Sequence, residues 1–214
     1  MRLTHKLILL LATTSFVTNT SPALARNLWE PPTRAISITS SRPTVAKEMV
    51  ASLRIATVPI VLEKTTLTEI RAQLGGKIGQ RGDAGEFLQW LCYTGSNTGS
   101  HWILWLESSE IEGGTVGGLE LSRMSSAEKA DERCSQLPNG AGVELPNALH
   151  LGMNANDLQA SLGKPTTTHG ETLIFTHEQQ ETIHGESYTS SNTVTFILRG
   201  TAVWTINVWK LTSN

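Results

Sequence analysis

The feature that most constrains this 214-residue chain is a short phrase that occurs twice. Residues 66–75 (TLTEIRAQLG) return 88 positions later as residues 154–163 (NANDLQASLG). Both copies are followed by a glycine at the same offset, Gly82 and Gly170, and then by strand-like runs. A repeated unit of about 65 residues predicts an internal duplication, because one such unit alone buries little surface.

Capping residues mark the start of a helix in each copy. Thr66 and Glu69 have the spacing of a capping box, in which each side chain satisfies an amide of the first helical turn. In the second copy Asn154 is the expected cap, and Asp157 lies near the positive helix end. The predicted helices are too short to be stable alone, so each must pack its apolar side on a sheet.

The runs between the helices predict strands. They are rich in β-branched and aromatic residues and lie at 55–62, 87–93, 102–107, 116–123, 172–176, 193–198 and 202–211. Short connections favour antiparallel pairing, so the predicted class is α+β, with two tandem repeats that each place a short capped helix on a small antiparallel sheet.

Two finer predictions concern the ends of the chain. Loose helical spacing of apolar residues favours a helix over 44–53. In the last run, alternation predicts two opposite sets of side chains. One set is Trp204, Ile206 and Val208, and the other is Val203, Thr205, Asn207, Trp209 and Leu211.

The first 25 residues have the pattern of a signal peptide. A basic start precedes an apolar stretch of 11 residues, Leu7 to Val17, and a small-x-small cleavage site ends at Ala25. The alternative is a short membrane anchor, although 11 residues are too few to span a bilayer. The expected divisions are a signal peptide (1–25), an N-terminal extension (26–54), a first repeat (55–124), a linker (125–146) and a second repeat (147–214).

Two cysteines remain after cleavage, Cys92 and Cys134. An even pair in an exported chain predicts one disulfide. The alternative is that Cys92 and a histidine form a nucleophile pair. No cysteine follows the cleavage site directly, so a lipid anchor is not expected, and the product should be in the periplasm or secreted.

Charge limits the kinds of partner. Without Arg2 and Lys6 of the signal peptide, 15 basic and 19 acidic residues give the mature chain a net charge of −4. No basic run occurs, which argues against a nucleic-acid partner and leaves membrane association at most peripheral.

The second copy resembles a known family. Its residues Leu151-Gly152-Met153-Asn154, Asp157-Leu158 and Leu162-Gly163-Lys164-Pro165 are similar to the opening of BamE/SmpA-type outer-membrane assembly modules. Two such units in tandem also resemble the architecture of β-lactamase-inhibitor proteins. The resemblance implies helical segments on a curved antiparallel sheet, and function through protein–protein contact. The chain departs from both families, because it lacks the anchoring cysteine and a disulfide within each repeat.

Two clusters of polar residues are candidate sites of chemistry. His169, His177 and His184 are the nearest approach to a metal set, yet their spacing favours a solvated polar surface. Glu107, Glu110 and Glu112 suggest paired-carboxylate hydrolysis, but a solvated turn is the simpler interpretation. We therefore expect no catalytic residue, no metal and no cofactor.

The tryptophans give the functional prediction. The chain has six tryptophans against four phenylalanines and two tyrosines, and exposed tryptophan is a good anchor for a protein partner. Trp105 and Trp209 are the predicted contact residues. Trp102 and Trp105 should point to opposite faces of one strand, so that one of them can be exposed; the alternative is that both of these are buried. The predicted function is an exported, non-enzymatic module that binds another envelope or secreted protein. The alternatives are a periplasmic small-molecule or lipid carrier that uses a cleft between the repeats, and a hydrolase that uses Cys92 or the histidines.

Overall fold

The computed structural model describes residues 28–32, 45, 47–83, 85–97, 100–126 and 128–213. The predicted signal peptide lies outside the described residues, as does much of the N-terminal extension. Within the described part the protein is α+β, with two eight-residue helices and mostly antiparallel strands. The predicted class is therefore correct.

The helices are α1 (Leu67–Leu74) and α2 (Ala155–Leu162), and a 3-10 turn lies at Pro146–Ala148. The strands in chain order are β1 (Ser52–Ile55), β2 (Val58–Val61), β3 (Gly79–Arg81), β4 (Leu88–Asn97), β5 (Ser100–Ser109), β6 (Gly118–Arg123), β7 (Ser135–Gln136), β8 (Val143–Glu144), β9 (Thr167–His169), β10 (Thr172–Ile183), β11 (Glu186–Arg199) and β12 (Ala202–Ser213).

One large sheet joins both halves of the described chain. Its strand order is β3-β4-β5-β6-β12-β11-β10-β9, and β7 pairs with β4 as a ninth strand. The halves meet where β6 pairs with β12, from Thr205 opposite Ser122 to Trp209 opposite Gly118. Each half has one helix followed by a three-residue edge strand and three longer strands. The order of elements is thus the same, while the duplication and its domain boundaries stay predictions.

Both helices begin at the predicted caps. Thr66 Oγ1 accepts from the Glu69 amide at 3.2 Å, and Glu69 Oε2 accepts from the Thr66 amide at 2.8 Å. Asn154 Oδ1 accepts from the amides of Asn156 and Asp157, each at 2.9 Å. The hydrogen bonds from Thr66 lower the pKa of the Glu69 carboxyl. Neither helix is long and apolar enough to cross a membrane, among the residues that the structure describes.

The helices cover one face of the large sheet, which we name the helix face. The main core lies there, between the sheet, the helices and a smaller sheet of order β2-β1-β8. Asn192 fastens the chain before β1 to this face. Its Oδ1 accepts from the amides of Met49 and Val50, each at 3.0 Å, and its Nδ2 donates to Val50 O at 3.1 Å.

The predicted helix over 44–53 is wrong. Residues 47–51 have no helical turn, and Leu53 belongs to β1. Asn192 takes the backbone groups of Met49 and Val50, and β2 supplies hydrogen-bond partners for β1. The predicted strand over 55–62 is divided, because a turn after Ile55 makes a β1–β2 hairpin. These tertiary partners outweigh a weak helical pattern.

The predicted alternation in the last strand is also wrong at its start. The β11–β12 register shifts between Ile197 and Leu198, so that Trp204 has no partner of its own in the pairing. This β-bulge places Val203 in the main core with Ile206 and Val208, whereas Trp204 faces the opposite side of the sheet.

Candidate functional site

The second face of the large sheet carries the disulfide, and we name it the disulfide face. The pairing register places Trp90, Glu107, Gly118 and Trp209 side by side across β4, β5, β6 and β12. The next row contains Cys92, Trp105, Glu120 and Asn207. Side chains of both halves therefore meet on one surface.

A glycine on the neighbouring strand makes room for each of three tryptophans. Gly79 is paired with Trp90, Gly95 with Trp102 and Gly118 with Trp209. A Cβ atom at any of these glycines would come within 2.3, 2.2 or 2.7 Å of the indole ring. Each ring consequently lies flat over a neighbouring strand, and Gly118 fixes the place of Trp209 at the boundary of the halves.

Part of the disulfide face is closed. Cys92 and Cys134 form the predicted disulfide, with Cα atoms 4.6 Å apart. Leu28 and Trp29 pack beside it and complete a second core with Trp90, Cys92, Ile103 and Trp105. This part of the N-terminal extension therefore belongs to the packed fold. The disulfide also leaves no thiol for the alternative Cys92 nucleophile.

The prediction that Trp105 is an exposed anchor is wrong. Its side chain is completely buried, and its indole Nε1 donates to Trp29 O at 3.2 Å. The cause is the Leu28–Trp29 segment, which covers the centre of the face.

Trp209 lies instead at an open groove next to this closed region. The groove has a volume of about 800 Å³ and lies between the β3–β4 loop, the end of β5 and the middle of β12. We name it the acidic groove. Its lining residues are Pro32, Arg81, Gly82, Gly85, Glu86, Phe87, Leu88, Glu107, Ser109, Glu110, Ile111, Asn207 and Trp209. Trp209 is half-buried there, so part of its ring faces the groove.

Ile111 stands at the mouth of this groove. It is 77% exposed and lies in the β5–β6 loop. Hydrogen bonds hold the loop that carries it: Gly114 N donates to Ser108 Oγ at 3.0 Å, and Thr115 N donates to Glu112 O at 3.1 Å. An exposed apolar side chain on a fixed loop loses little freedom when a partner covers it.

The charge of the groove is predominantly negative. Glu86 and Glu110 are exposed at its rim, and Glu107 is buried in its floor. Glu110 Oε2 accepts from Gly85 N at 2.6 Å, which ties the two loops together. The one cation of the lining, Arg81, already pairs with Glu30 at 3.6 Å and donates to Pro31 O at 3.0 Å.

The three histidines of the suggested metal set do not form a group. His169 is exposed in β9, and His184 lies in the β10–β11 turn. His177 is buried on the helix face, with Nδ1 at 2.8 Å from Val45 O. Among the described residues no group of three or more His, Cys, Asp or Glu side chains is placed to hold a metal ion.

Sequence reasoning named Trp209 as a contact candidate, which stays a prediction, and it did not name Ile111 or Gly118. Ile111 lies in a segment that the glutamates and glycines marked only as a turn. Gly118 lies in the predicted strand 116–123, but the sequence did not indicate that Trp209 rests on it. What identifies Gly118 is its pairing with Trp209 across the two strands. This pairing can be recognised only when the register of β6 and β12 is known.

Comparison with known proteins adds little to this geometry. No protein-family model and no curated protein matches the chain. One solved structure that does match comes from Streptococcus mutans and is described as a candidate β-lactamase inhibitor protein. The two chains are 12% identical, and the match covers 70% of this chain and 83% of that one. Its TM-score of 0.21 is too low to support an argument about fold or function, and the BamE/SmpA resemblance stays a prediction.

Proposed function

We propose that this chain is an exported, non-enzymatic protein-binding module of the bacterial cell envelope, of the assembly or inhibitor type, and that it binds its partner at the acidic groove. The observation that carries this proposal is the exposure of Ile111. Its side chain is 77% exposed and lines the same groove of about 800 Å³ as the half-buried Trp209. Protein interfaces combine such apolar and aromatic centres with a polar rim.

The groove favours a partner segment of particular chemistry. An apolar side chain of the partner would fill the space between Ile111, Phe87 and Trp209. A lysine or arginine beside it would lie against Glu86 and Glu110, which are exposed at the rim. We therefore propose a basic, apolar loop or chain terminus of another envelope or secreted protein as the occupant.

The proposed location is the periplasm or the exterior of the cell. The signal-peptide pattern of residues 1–25 and the Cys92–Cys134 disulfide support it, since disulfides persist in oxidising compartments.

Site-specific photo-crosslinking in the native host tests the proposal. A photoreactive amino acid replaces Ile111 in one strain, and in the matched strain it replaces Val61, another exposed apolar residue that lies outside the groove. We expect one abundant adduct from position 111 that position 61 does not give. Identical adducts from both positions, or none from position 111, would contradict the proposal.

Affinity measurements with the captured protein make the test quantitative. Ile111→Asp should weaken binding at least about tenfold, whereas Val61→Asp should leave it unchanged. Glu86→Lys should slow association and reduce its dependence on salt, because rim charges act mainly on the rate of encounter. Equal affinity of I111D and the wild type would place the interface elsewhere.

The carrier alternative has one supporting observation. The acidic groove contains residues of both halves, and about 800 Å³ lies within the range of small-molecule sites. Its charged lining differs from the dry cavity of leucine, isoleucine and tryptophan that a lipid carrier requires. Native mass spectrometry of the purified protein distinguishes the two, since a carrier would retain a small ligand that I111D releases.

A further inference from the structure

A second, smaller cavity lies on the helix face, far along the strands from the acidic groove. It has a volume of about 220 Å³. The ends of β5 and β6 form one wall, and the chain around β8 and the start of the second half forms the other. We name it the basic cavity. Its lining residues are Ser100, His101, Trp102, Leu121, Arg123, Gly142, Val143, His150 and Leu151.

Arg123 is the central group of this cavity. Its guanidinium rests against Gly152, where an added Cβ would be only 2.2 Å from Nη2. Its Nε atom is buried and has no hydrogen-bond partner. A buried N–H group without an acceptor costs free energy, so an acceptor that reaches Nε would bind favourably. Gly152 makes the close approach of the guanidinium possible.

The charges around Arg123 favour an anion. No acidic residue lines the basic cavity, although the whole chain has a net charge of −2. Among the described residues no carboxylate forms a salt bridge with Arg123. Glu128 and Arg123 both line a smaller groove on the disulfide face, but the Glu128 carboxylate is engaged elsewhere, because its Oε2 accepts from Ser125 N at 2.7 Å. Glu144, next to the lining residue Val143, is exposed and lies 3.9 Å from Arg54.

Two histidines also line the cavity. His101 and His150 are both exposed at the cavity. His150 Nδ1 lies 3.0 Å from Leu151 O, so Nε2 of the same ring is the nitrogen that remains for a ligand.

We propose that the basic cavity binds a small tetrahedral oxyanion, a phosphate or sulfate group, between Arg123, His101 and His150. A guanidinium donates to such oxygens through two parallel N–H groups, and Arg123 has the free Nε–H that this geometry needs. A cavity of about 220 Å³ accepts an ion of five heavy atoms together with water. The site is independent of the acidic groove and of its proposed partner.

Titration of the full mature protein with inorganic phosphate tests this site. The measured signal is the NMR resonance of Arg123 Nε–H, with chloride at equal ionic strength as the reference. We expect a saturable shift with a dissociation constant at or below about 1 mM. Arg123→Gln should weaken binding at least about tenfold, as judged by calorimetry, while Arg54→Gln on the exposed part of β1 should not. No saturable shift, or equal binding by R123Q, would overturn the proposal.

Two further measurements show whether a folding defect of R123Q explains its loss of binding, and which kind of anion the cavity takes. His150→Gln keeps Arg123, and it should weaken sulfate binding about threefold or more, because it removes one ring from the cavity wall. Equal sulfate affinity of H150Q and the wild type would contradict the role assigned to His150. Methyl phosphate compared with inorganic phosphate shows whether the cavity takes a phosphate ester or only the free ion; binding of either one supports the site, and binding of neither overturns it.

Discussion

At the scale of single residues, the pairing of tryptophan with cross-strand glycine shapes the surface that we propose to be functional. Gly118 leaves a gap in β6, and the indole of Trp209 fills it from β12. The disulfide was predictable from the sequence, because two cysteines in a chain that is predicted to be exported can form only one intramolecular pair. The burial of Trp105 was not, since it depends on Leu28 and Trp29, which are distant in sequence.

Gly118→Ala should displace Trp209. The added Cβ would come 2.7 Å from the ring, so the indole must move, and we expect a loss of about 1–3 kcal/mol in the free energy of unfolding. Denaturant titration gives this value, and partner binding at the acidic groove should weaken in parallel. Gly142→Ala is the matched control, because nothing lies within 4 Å of its Cβ position. Equal stability of both variants would contradict the packing described.

Tyr93 should make stability fall at alkaline pH. Its hydroxyl donates to Gly75 O at 2.9 Å, and burial raises the pKa of Tyr93. Because the pKa of Tyr93 is higher in the folded than in the unfolded protein, its neutral hydroxyl stabilises the fold fully below the unfolded-state pKa of about 10. This stabilisation is lost as the pH rises towards the folded-state pKa. Tyr93→Phe should cost about 1 kcal/mol near neutral pH and reduce this alkaline loss. Denaturant titrations between about pH 8 and pH 12 measure both effects, with Tyr188→Phe as the control. An unchanged alkaline loss in Y93F would contradict the assignment.

At the scale of elements, features that a few adjacent residues determine were predictable from the sequence. Features that depend on pairing with a neighbouring strand were not. The caps at Thr66 and Asn154 follow from three or four adjacent residues, and both helices begin there. The bulge at Trp204 has no local signature, because it exists only relative to the register of β11. The extent of β10 and β11 was likewise underestimated, since their polar outer ends are held by pairing with each other.

Removal of the first cap should destabilise the fold. Thr66→Ala takes away the acceptor of the Glu69 amide, and we expect a loss of about 1 kcal/mol at neutral pH. Thr68→Ala, at an exposed position of α1, is the control. The lowered pKa of Glu69 contributes stability that is present above its unfolded value and is lost as the pH falls through the folded one. T66A should therefore be less sensitive to acid than T68A in thermal unfolding; the reverse order would contradict the capping box.

At the scale of the whole molecule, the two halves share one sheet and one main core. The sequence predicted two copies but not how they join, because the β6–β12 contact connects strands far apart in the chain. Asn192 adds a second connection, since this residue of β11 holds Met49 and Val50. Neither half can complete the main core without the other.

Unfolding should accordingly show one transition. Tryptophan fluorescence reports mainly on the first half and its disulfide face, whereas far-UV circular dichroism reports on all strands. The β6–β12 pairing couples these regions, so both signals should change at the same denaturant concentration. Two separated midpoints would show that the halves unfold independently and would contradict the shared sheet.

The position of β12 also has a consequence for biosynthesis. Of the strands described, it leaves the ribosome last, yet it occupies the middle of the sheet between β6 and β11. The nascent chain therefore has an unfilled centre until translation of this strand is finished. A polypeptide in that condition cannot close its sheet, and such an open chain would suit the export that we propose.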